Sequence, residues 1–501
     1  MPPAADPRSP CLIGVARRTW HPADAPDGAP EPLEMWEEVA RAAAADAGAP
    51  DALHQLQSID VVYSQSWQYD DPAARLAERL GAAPRRTHYS GIGGSVPHTL
   101  AVGQAALILD GHLDLGLIVG AEALATVRRL KKAGHKPAWS YPPAERRPFP
   151  MEMQFLPTEI SHAVFQAYLT FALFDNARRA HLGRTPDQHT AALGRLLAPF
   201  TDVAAASPHA WFPLSRTPAE ITTATTANRM VAYPYTKLMT AIMDVDMAAG
   251  LLLASAAKAD ALGVPEQKRV YLRGWGYDEE PEHVADHTDL WRSPAMAAAS
   301  AAALGGAGIG IDDVAHFDLY SCFASSVNFA QDALGLAEDD ARGMTQTGAL
   351  PYHGGPGSNY MTHSMAALAE TLRADPGSYG LVSGVGMHMQ KHAYGLWSSA
   401  PGPVDRQRSA TNAASASASN AASNITESAE GSATVATYSV LHGLDGGPES
   451  ALLICDLPGG GRCYAKLDGA EDVLSEAERT ELIGRTVTLT PKDGVNLARL
   501  A

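Results

Sequence analysis

With 501 residues and 46% hydrophobic side chains, the chain exceeds what one hydrophobic core ordinarily supports and predicts two or more folding units. Its 38 basic against 55 acidic side chains, a formal charge of -17, repel polyanions at long range and argue against nucleic acid or an anionic membrane as partner. The N-terminal stretch has no basic region followed by a long apolar run, and no later run reaches about 18 apolar residues, so a cytoplasmic location is expected. Cys11, Cys322, Cys455 and Cys463 have neither paired spacing nor the density of a disulfide framework. They are expected as reduced thiols, with no zinc.

The first elements, "CLIGVA" and "IDVVYS", read as strands of an α/β protein whose sheet is buried on both faces. "PHTLAVGQAALILDG" then reads as a helix leading into a strand, "HLDLGLIVGAEA". Residues of about 125–245 hold Pro-rich and aromatic segments such as "HKPAWSYPPAERRPFP", the mark of an inserted loop domain rather than sheet. "DMAAGLLLASAAKADALG" is expected to return to helix. Further on, "MTHSMAALAETLRAD" and "GSYGLVSGVGM" repeat the earlier unit of glycine-rich turn, helix and strand.

The composition breaks near 405. "SATNAASASASNAASNITES" has almost no large apolar residue and reads as a flexible linker over 406–428, separating a core of 1–405 able to fold alone from a tail of 429–501. In the tail, "ATVATYSVLHGLDGGPESALLICDLPGGGRCYAKL" and "GRTVTLTPKDGVNLARL" alternate as antiparallel strands with glycine turns, and a small β-barrel is the simplest closure.

Four stretches, "SGIGGSVPHTLAVGQAALILDG", "FDLYSCFASSVNFAQDALGL", "GALPYHGGPGSNY" and "LVSGVGMHM", resemble in order and spacing the active-site blocks of the thiolase superfamily. The resemblance spans about 8–400 and is nearest to the sterol-carrier-type thiolases and thiolase-like proteins with an additional C-terminal domain. The tail resembles the OB-fold module fused to or partnered with acyl-CoA enzymes. The resemblance implies duplicated α/β halves in α-β-α-β-α layers, with an inserted loop domain and a small C-terminal barrel.

Thiolase chemistry needs a thiolate to accept the acyl group, a second acid or base, and an oxyanion hole. The place of the family's nucleophilic cysteine falls at Ile92 or Gly93, and that of its second cysteine at Val382 or Ser383 before Gly384. No cysteine lies between 12 and 321 or between 323 and 454. The third block reads Tyr320, Ser321, Cys322, Phe323, where the family has Asn-Glu-Ala-Phe or His-Asp-Cys-Phe. Cys322 reads either as a reactive thiol or as a small buried residue.

In the family's Gly-His-Pro motif the histidine donates into the oxyanion hole, and "YHGGPG" offers His353 one place displaced, followed by Gly354 and Gly355. A structural histidine in a polar turn is the alternative. Tyr320 and Tyr352 are expected to flank one pocket with His353, a phenol serving as acid or base when tuned.

The resemblance implies coenzyme A or an acyl-CoA as ligand, none held permanently. An acidic protein needs concentrated cations for it. "VRRLKKAGHK" supplies Arg128, Arg129, Lys131, Lys132 and Lys136; a solvated helix face is the alternative. His388, Lys391 and His392 are expected at the pocket rim or as structural groups, Tyr233 and Tyr235 as packing aromatics, and Cys455 and Cys463 in the barrel core. The expected function is that of an acetyl-CoA acetyltransferase-like binder of coenzyme A esters without the usual cysteines. A retro-aldol lyase and a non-catalytic partner subunit stay open, as does a homodimer or an acyl-CoA enzyme partner.

Overall fold

The computed structural model describes residues 5–150, 154–409 and 423–500. Among the described residues, eleven strands precede the tail: β1 (Pro10–Thr19), β2 (Ser58–Val61), β3 (Arg86–Tyr89), β4 (Leu115–Ala123), β5 (Met230–Ala232), β6 (Tyr235–Thr236), β7 (Asp246–Ser255), β8 (Val270–Glu279), β9 (Val314–Asp318), β10 (Tyr379–Gly386) and β11 (Lys391–Ser398). Nine of them form one sheet in the order β3-β2-β4-β7-β1-β8-β11-β10-β9. Read outward from the antiparallel β1–β8 pair, each half places its first, last, penultimate and second strands in that order. β3 adds an edge to the first half alone.

The helices repeat with the strands. Helix Val96–Leu109 precedes β4 and helix Tyr360–Ala374 precedes β10, and the two pack on each other between the halves of the sheet. Helix Pro32–Asp46 covers β1 and β7 from outside, and helix Pro294–Ala307 covers β8 and β11. The outer approaches are close enough to demand glycine: a Cβ on Gly14 would run into the Ala43 carbonyl, and one on Gly274 into that of Ala303. The expected α-β-α-β-α layering of duplicated halves is the observed architecture.

One expectation is overturned. The run "DMAAGLLLAS" is not helix but β7, fully buried between β1 and β4, and only Ala256–Ala261 is helical. A strand buried on both faces shows no alternation, so its apolar run has no period that separates it from a buried helix.

The tail holds β12 (Gly431–His442), β13 (Pro448–Asp456), β14 (Arg462–Leu467), β15 (Thr486–Lys492) and β16 (Val495–Leu500). They close in the order β12-β13-β14-β16-β15-β12, with helix Glu471–Ala477 between β14 and β15. This is the strand order of an OB-fold barrel. β5 and β6, from the segment expected to carry no sheet, extend it: Ala232 pairs with Leu441, and Tyr233 N–H donates to Val440 O at 2.8 Å.

Most of the expected linker, 410–422, lies outside the described residues. Its flanks are held: Arg406 pairs with Asp110, and Ile425 bridges to Arg462. The barrel also packs into the core. The buried Asn176 donates to Tyr233 O at 3.1 Å and Tyr438 O at 2.9 Å, Arg179 pairs with Glu481 at 2.6 Å, and Tyr464 Oη donates to Glu159 at 3.0 Å. Leu452, Ile454 and Tyr464 belong to the main core cluster, so the core expected to stand alone shares its interior with the tail.

Asn176→Leu removes both of these donated bonds, leaving Tyr233 O with the Ser439 hydroxyl at 2.8 Å, and should cost about 1–3 kcal/mol by chemical denaturation. A loss within experimental error would mean that the barrel is not anchored through this side chain. Acid should destabilise the protein. Burial holds His98 and His388 down at about 4 and His287 and His392 at about 3. The unfolded chain therefore takes up protons near pH 6.5 that the folded chain refuses, and stability falls as pH falls, by about 2 kcal/mol per group between pH 6.5 and 5. The folding free energy should slope by several protons across that window, and His98→Gln should flatten it by close to one; an unaltered slope contradicts the assignment.

Candidate functional site

The loop Gly91–Ser95 enters the N-terminus of helix Val96–Leu109, at the place where a nucleophile was sought. It carries no thiol. Gly93, at φ 145°, donates its N–H to Ser358 Oγ at 3.0 Å. A Cβ on Gly94 would collide with the Tyr320 hydroxyl and with Val385 O, so only glycine lets the phenol lie on this backbone. Burial pushes the Tyr320 phenol well above its ordinary value and keeps it protonated. Its hydroxyl has no hydrogen-bond partner in the protein among the described residues. Where the family's second thiol was sought, Ser383 Oγ accepts the Tyr320 N–H at 2.8 Å and so positions the block that bears the phenol.

Cys322 lies in the same block but is buried, its Sγ 3.7 Å from Ser326 Oγ. Burial pushes its thiol up to about 12, so it is not a thiolate at neutral pH.

His353 ends the short helix Leu350–His353, which starts from Ala349 at φ 72° and stops at Gly354 at φ 103°. A left-handed non-glycine residue costs about 1–3 kcal/mol, strain of a kind that gathers at functional sites. Met387 at φ 55° and Met389 at φ 63° repeat it in the β10–β11 turn. The His353 ring is fully buried, with Nε2 3.4 Å from His363 Nδ1. Burial, and then Arg17, hold His353 well below the usual imidazole range, so it is neutral. It meets Tyr360 edge-on, with ring centroids 6.0 Å apart, and Tyr360 meets Tyr320 at 5.5 Å. Tyr320 and His353 thus lie in one row of rings. Tyr352 is directed elsewhere: its buried hydroxyl lacks a partner among the described residues, and Arg216 is the charge that acts on it.

A cavity of about 590 Å³ opens beside this centre, within the usual size of a ligand pocket. Tyr63, Trp67, Phe149 and three prolines form its apolar wall, and Lys136, Arg146 and Arg147 supply its charge. It shares Tyr63, Gln68 and Arg147 with a smaller space that reaches Tyr89 and Ser90, at the entry to the glycine loop. Glu122, at the end of β4, ties the two regions. Its carboxylate accepts the Gln65 N–H at 2.8 Å and the Ser66 N–H at 3.0 Å, and it abuts Gly357 beside Ser358. Burial raises Glu122 to about 7 against those hydrogen bonds, so it is poised near neutrality.

The structure therefore brings Tyr320, Cys322, Gly384 and His353 around one centre and leaves part of the expected cation cluster outside it. Arg128 pairs with Asp244, Arg129 is bound to the carbonyls of Pro26 and Asp27, and Lys131 and Lys132 point to solvent. Of the cations in that run, Lys136 alone lines the cavity. Gly354 and Gly355 pack inside: a Cβ on Gly354 would meet Met247 and Val245, and Gly355 N–H donates to Ile242 O at 2.8 Å. A Cβ on Gly384 would run into Met361. His388 and His392 are buried, bonded to Thr170 and to Met389 O. Glu122, Arg146 and Arg147 were missed; the arginines stand in a Pro-rich loop without periodicity, where only the paired charge itself was a signal.

No family model and no curated protein matches the chain. Among solved structures, a monomeric SCP2-thiolase-like protein type 1 from Mycobacterium smegmatis is 33% identical, with a TM-score of 0.84, over 99% of this chain and 100% of that one. The Ltp2–ChsH2(DUF35) aldolase is 15% identical, with a TM-score of 0.60, over 79% of this chain and 99% of that one. The dimeric peroxisomal thiolase of Saccharomyces cerevisiae is 14% identical, with a TM-score of 0.56, over 79% and 98%. The last two speak to the fold alone. The 33% identity across 99% of this chain, together with the duplicated halves and the fused barrel, makes this chain a member of the SCP2-thiolase-like proteins of the thiolase superfamily.

Proposed function

We propose that the chain binds a coenzyme A ester along the cavity of Tyr63, Trp67 and Phe149, with the thioester end toward the Gly91–Ser95 loop, and that it forms no acyl-enzyme. The observation that carries the reading is the cavity's two-sided lining: three cations for phosphate on a protein of formal charge -17, and an aromatic wall for an acyl or pantetheine chain. The proposal of no acyl-enzyme has a physical ground. The 91–95 loop has no sulfur, and Cys322 is buried and protonated.

The partnerless hydroxyl of Tyr320 favours a second reading, carbon–carbon cleavage of an acyl-CoA without a covalent intermediate. A phenol held protonated by burial can donate to the thioester oxygen as the enolate forms. A non-catalytic partner subunit would have the same binding site and no turnover.

Charge reversal separates the cavity from the surface run. Lys136→Glu with Arg146→Glu should weaken coenzyme A binding by about tenfold to a hundredfold in calorimetry, less in high salt, since each screened surface charge is worth roughly 0.5–1 kcal/mol. Lys131→Glu with Lys132→Glu should do less; the reverse ranking would move the site onto the helix face. Incubation with acetyl-CoA should leave the intact mass unchanged, and a stable acetyl adduct on Cys322 would overturn the non-covalent reading. Tyr320→Phe should keep coenzyme A affinity within about twofold while lowering any turnover of an acyl ester by at least about a hundredfold. Equal loss of both would make Tyr320 a packing residue.

A further inference from the structure

The barrel carries a pair of thiols that the coenzyme A reading does not use. Cys455 in β13 and Cys463 in β14 are free thiols standing directly opposite each other in an antiparallel ladder, with no shift of register along it. Opposed residues of such a ladder share one face, and both side chains are buried in the barrel's own core cluster. Two positions on, Leu457 N–H donates to Gly461 O at 3.1 Å, which marks a hydrogen-bonded rung. Rungs alternate along the ladder, so the cysteine pair is a hydrogen-bonded rung as well. Its Cα atoms then lie about 5.5 Å apart, in the middle of the range that a disulfide spans. Cys11 and Cys322 belong to two other core clusters and oppose no thiol.

The two thiols are unequal. The Cys455 S–H donates to the Cys463 sulfur, which raises the first and lowers the second, so Cys463 is the one that forms a thiolate. The turn that joins the strands has glycine at 459, 460 and 461, with Gly460 and Gly461 at φ 89° and 75°, and its tip is exposed. The cysteines lie two positions inside that end, where local opening breaks a few hydrogen bonds without unfolding the barrel. Cys463 precedes Tyr464, whose hydroxyl donates to Glu159 and accepts the Ala285 N–H, both at 3.0 Å, and Cys455 follows Ile454 of the main core cluster. A bond at this rung therefore closes the hairpin that carries the barrel's contact with the core.

We propose that Cys455 and Cys463 form a redox site that closes to a cross-strand disulfide with an oxidant of the glutathione disulfide class and locks the β13–β14 hairpin. The Cys463 thiolate attacks one sulfur of oxidised glutathione; the oxidant's S–S bond breaks, and one glutathione leaves as a thiolate and takes up the proton that Cys463 gave up. Cys455 then loses its proton and attacks the Cys463 sulfur of the mixed disulfide, and the second glutathione leaves and takes up that proton. The two protein thiols are oxidised to one disulfide, and one oxidant is reduced to two glutathiones. The site is separate from the coenzyme A reading and stands or falls without it.

The test is incubation of the folded full chain with oxidised glutathione, followed by intact mass and by peptide mapping without reduction. The mass should fall by two hydrogens, the map should join Cys455 to Cys463, and Cys11 and Cys322 should stay free. Hydrogen exchange over 450–466 should slow by at least about tenfold in the oxidised protein, and dithiothreitol should restore it. Cys455→Ala, with its fold checked by circular dichroism, removes the resolving thiol and should hold one glutathione on Cys463. Free thiols at both 455 and 463 in the wild-type chain after incubation would overturn the proposal. So would a bond between any other pair, or a 455–463 bond that leaves exchange in the hairpin unchanged.

Discussion

The two helices of the middle layer, Val96–Leu109 and Tyr360–Ala374, lie between the halves of a sheet, and their inward polar groups have no water to bond. The fold meets this with two buried carboxylates at corresponding places. Asp60, in β2, accepts from Gln104 of the first helix at 2.6 Å, with Arg86 beside it at 2.8 Å. Asp318, in β9, accepts from Ser364 of the second at 2.7 Å and from the N–H groups of Gln346 and Thr347 at 2.7 and 2.9 Å. Burial pushes both carboxyls up and the donors draw them back, so each anchor depends on its full set of partners. Asp318 Oδ1 has only Ser364 as a side-chain donor among the described residues, so losing that hydroxyl leaves a buried acceptor unsatisfied rather than merely deleting a bond.

The chemistry hangs from these anchors. Tyr320 follows Asp318 by two residues and Tyr63 follows Asp60 by three, each where its strand ends and the chain turns over the middle layer. One tyrosine lies on the glycine loop and the other lines the large cavity. Glu122, at the end of β4 next to β2, joins the loop at Ser66 to the Gly357 turn. A duplicated scaffold thus carries two different ends: an aromatic cavity on one half and a phenol on glycine on the other.

Much of this was readable in the sequence where local chemistry agrees with the tertiary setting. The repeated glycine turn, helix and strand announced the duplication, and the alternating tail with its glycine turns announced the barrel. The reading failed where tertiary context decides. β7 has the apolar run of a helix because both of its faces are buried. β5 and β6 are too short to show a period and exist because β12 offers an edge. For Lys131 and Lys132 the sequence left a ligand site and a solvated helix face both open, and they lie on an exposed helix face. Arg146 and Arg147, from an unpatterned loop, are brought to the cavity instead. Tyr352 stands beside His353 in the chain, but the short helix sends the two side chains to different surroundings.

The central claim is that a coenzyme A ester occupies the cavity between the 63–68 and 136–149 segments and reaches the glycine loop. Hydrogen–deuterium exchange on the full chain, with and without saturating acetyl-CoA, tests it most directly, because a ligand bound to the folded state suppresses local opening where it sits. The account predicts added protection in 63–68, 90–95 and 136–149. Protection confined to the exposed face of helix Leu124–Lys132 or to the barrel, or no protection anywhere, would contradict it.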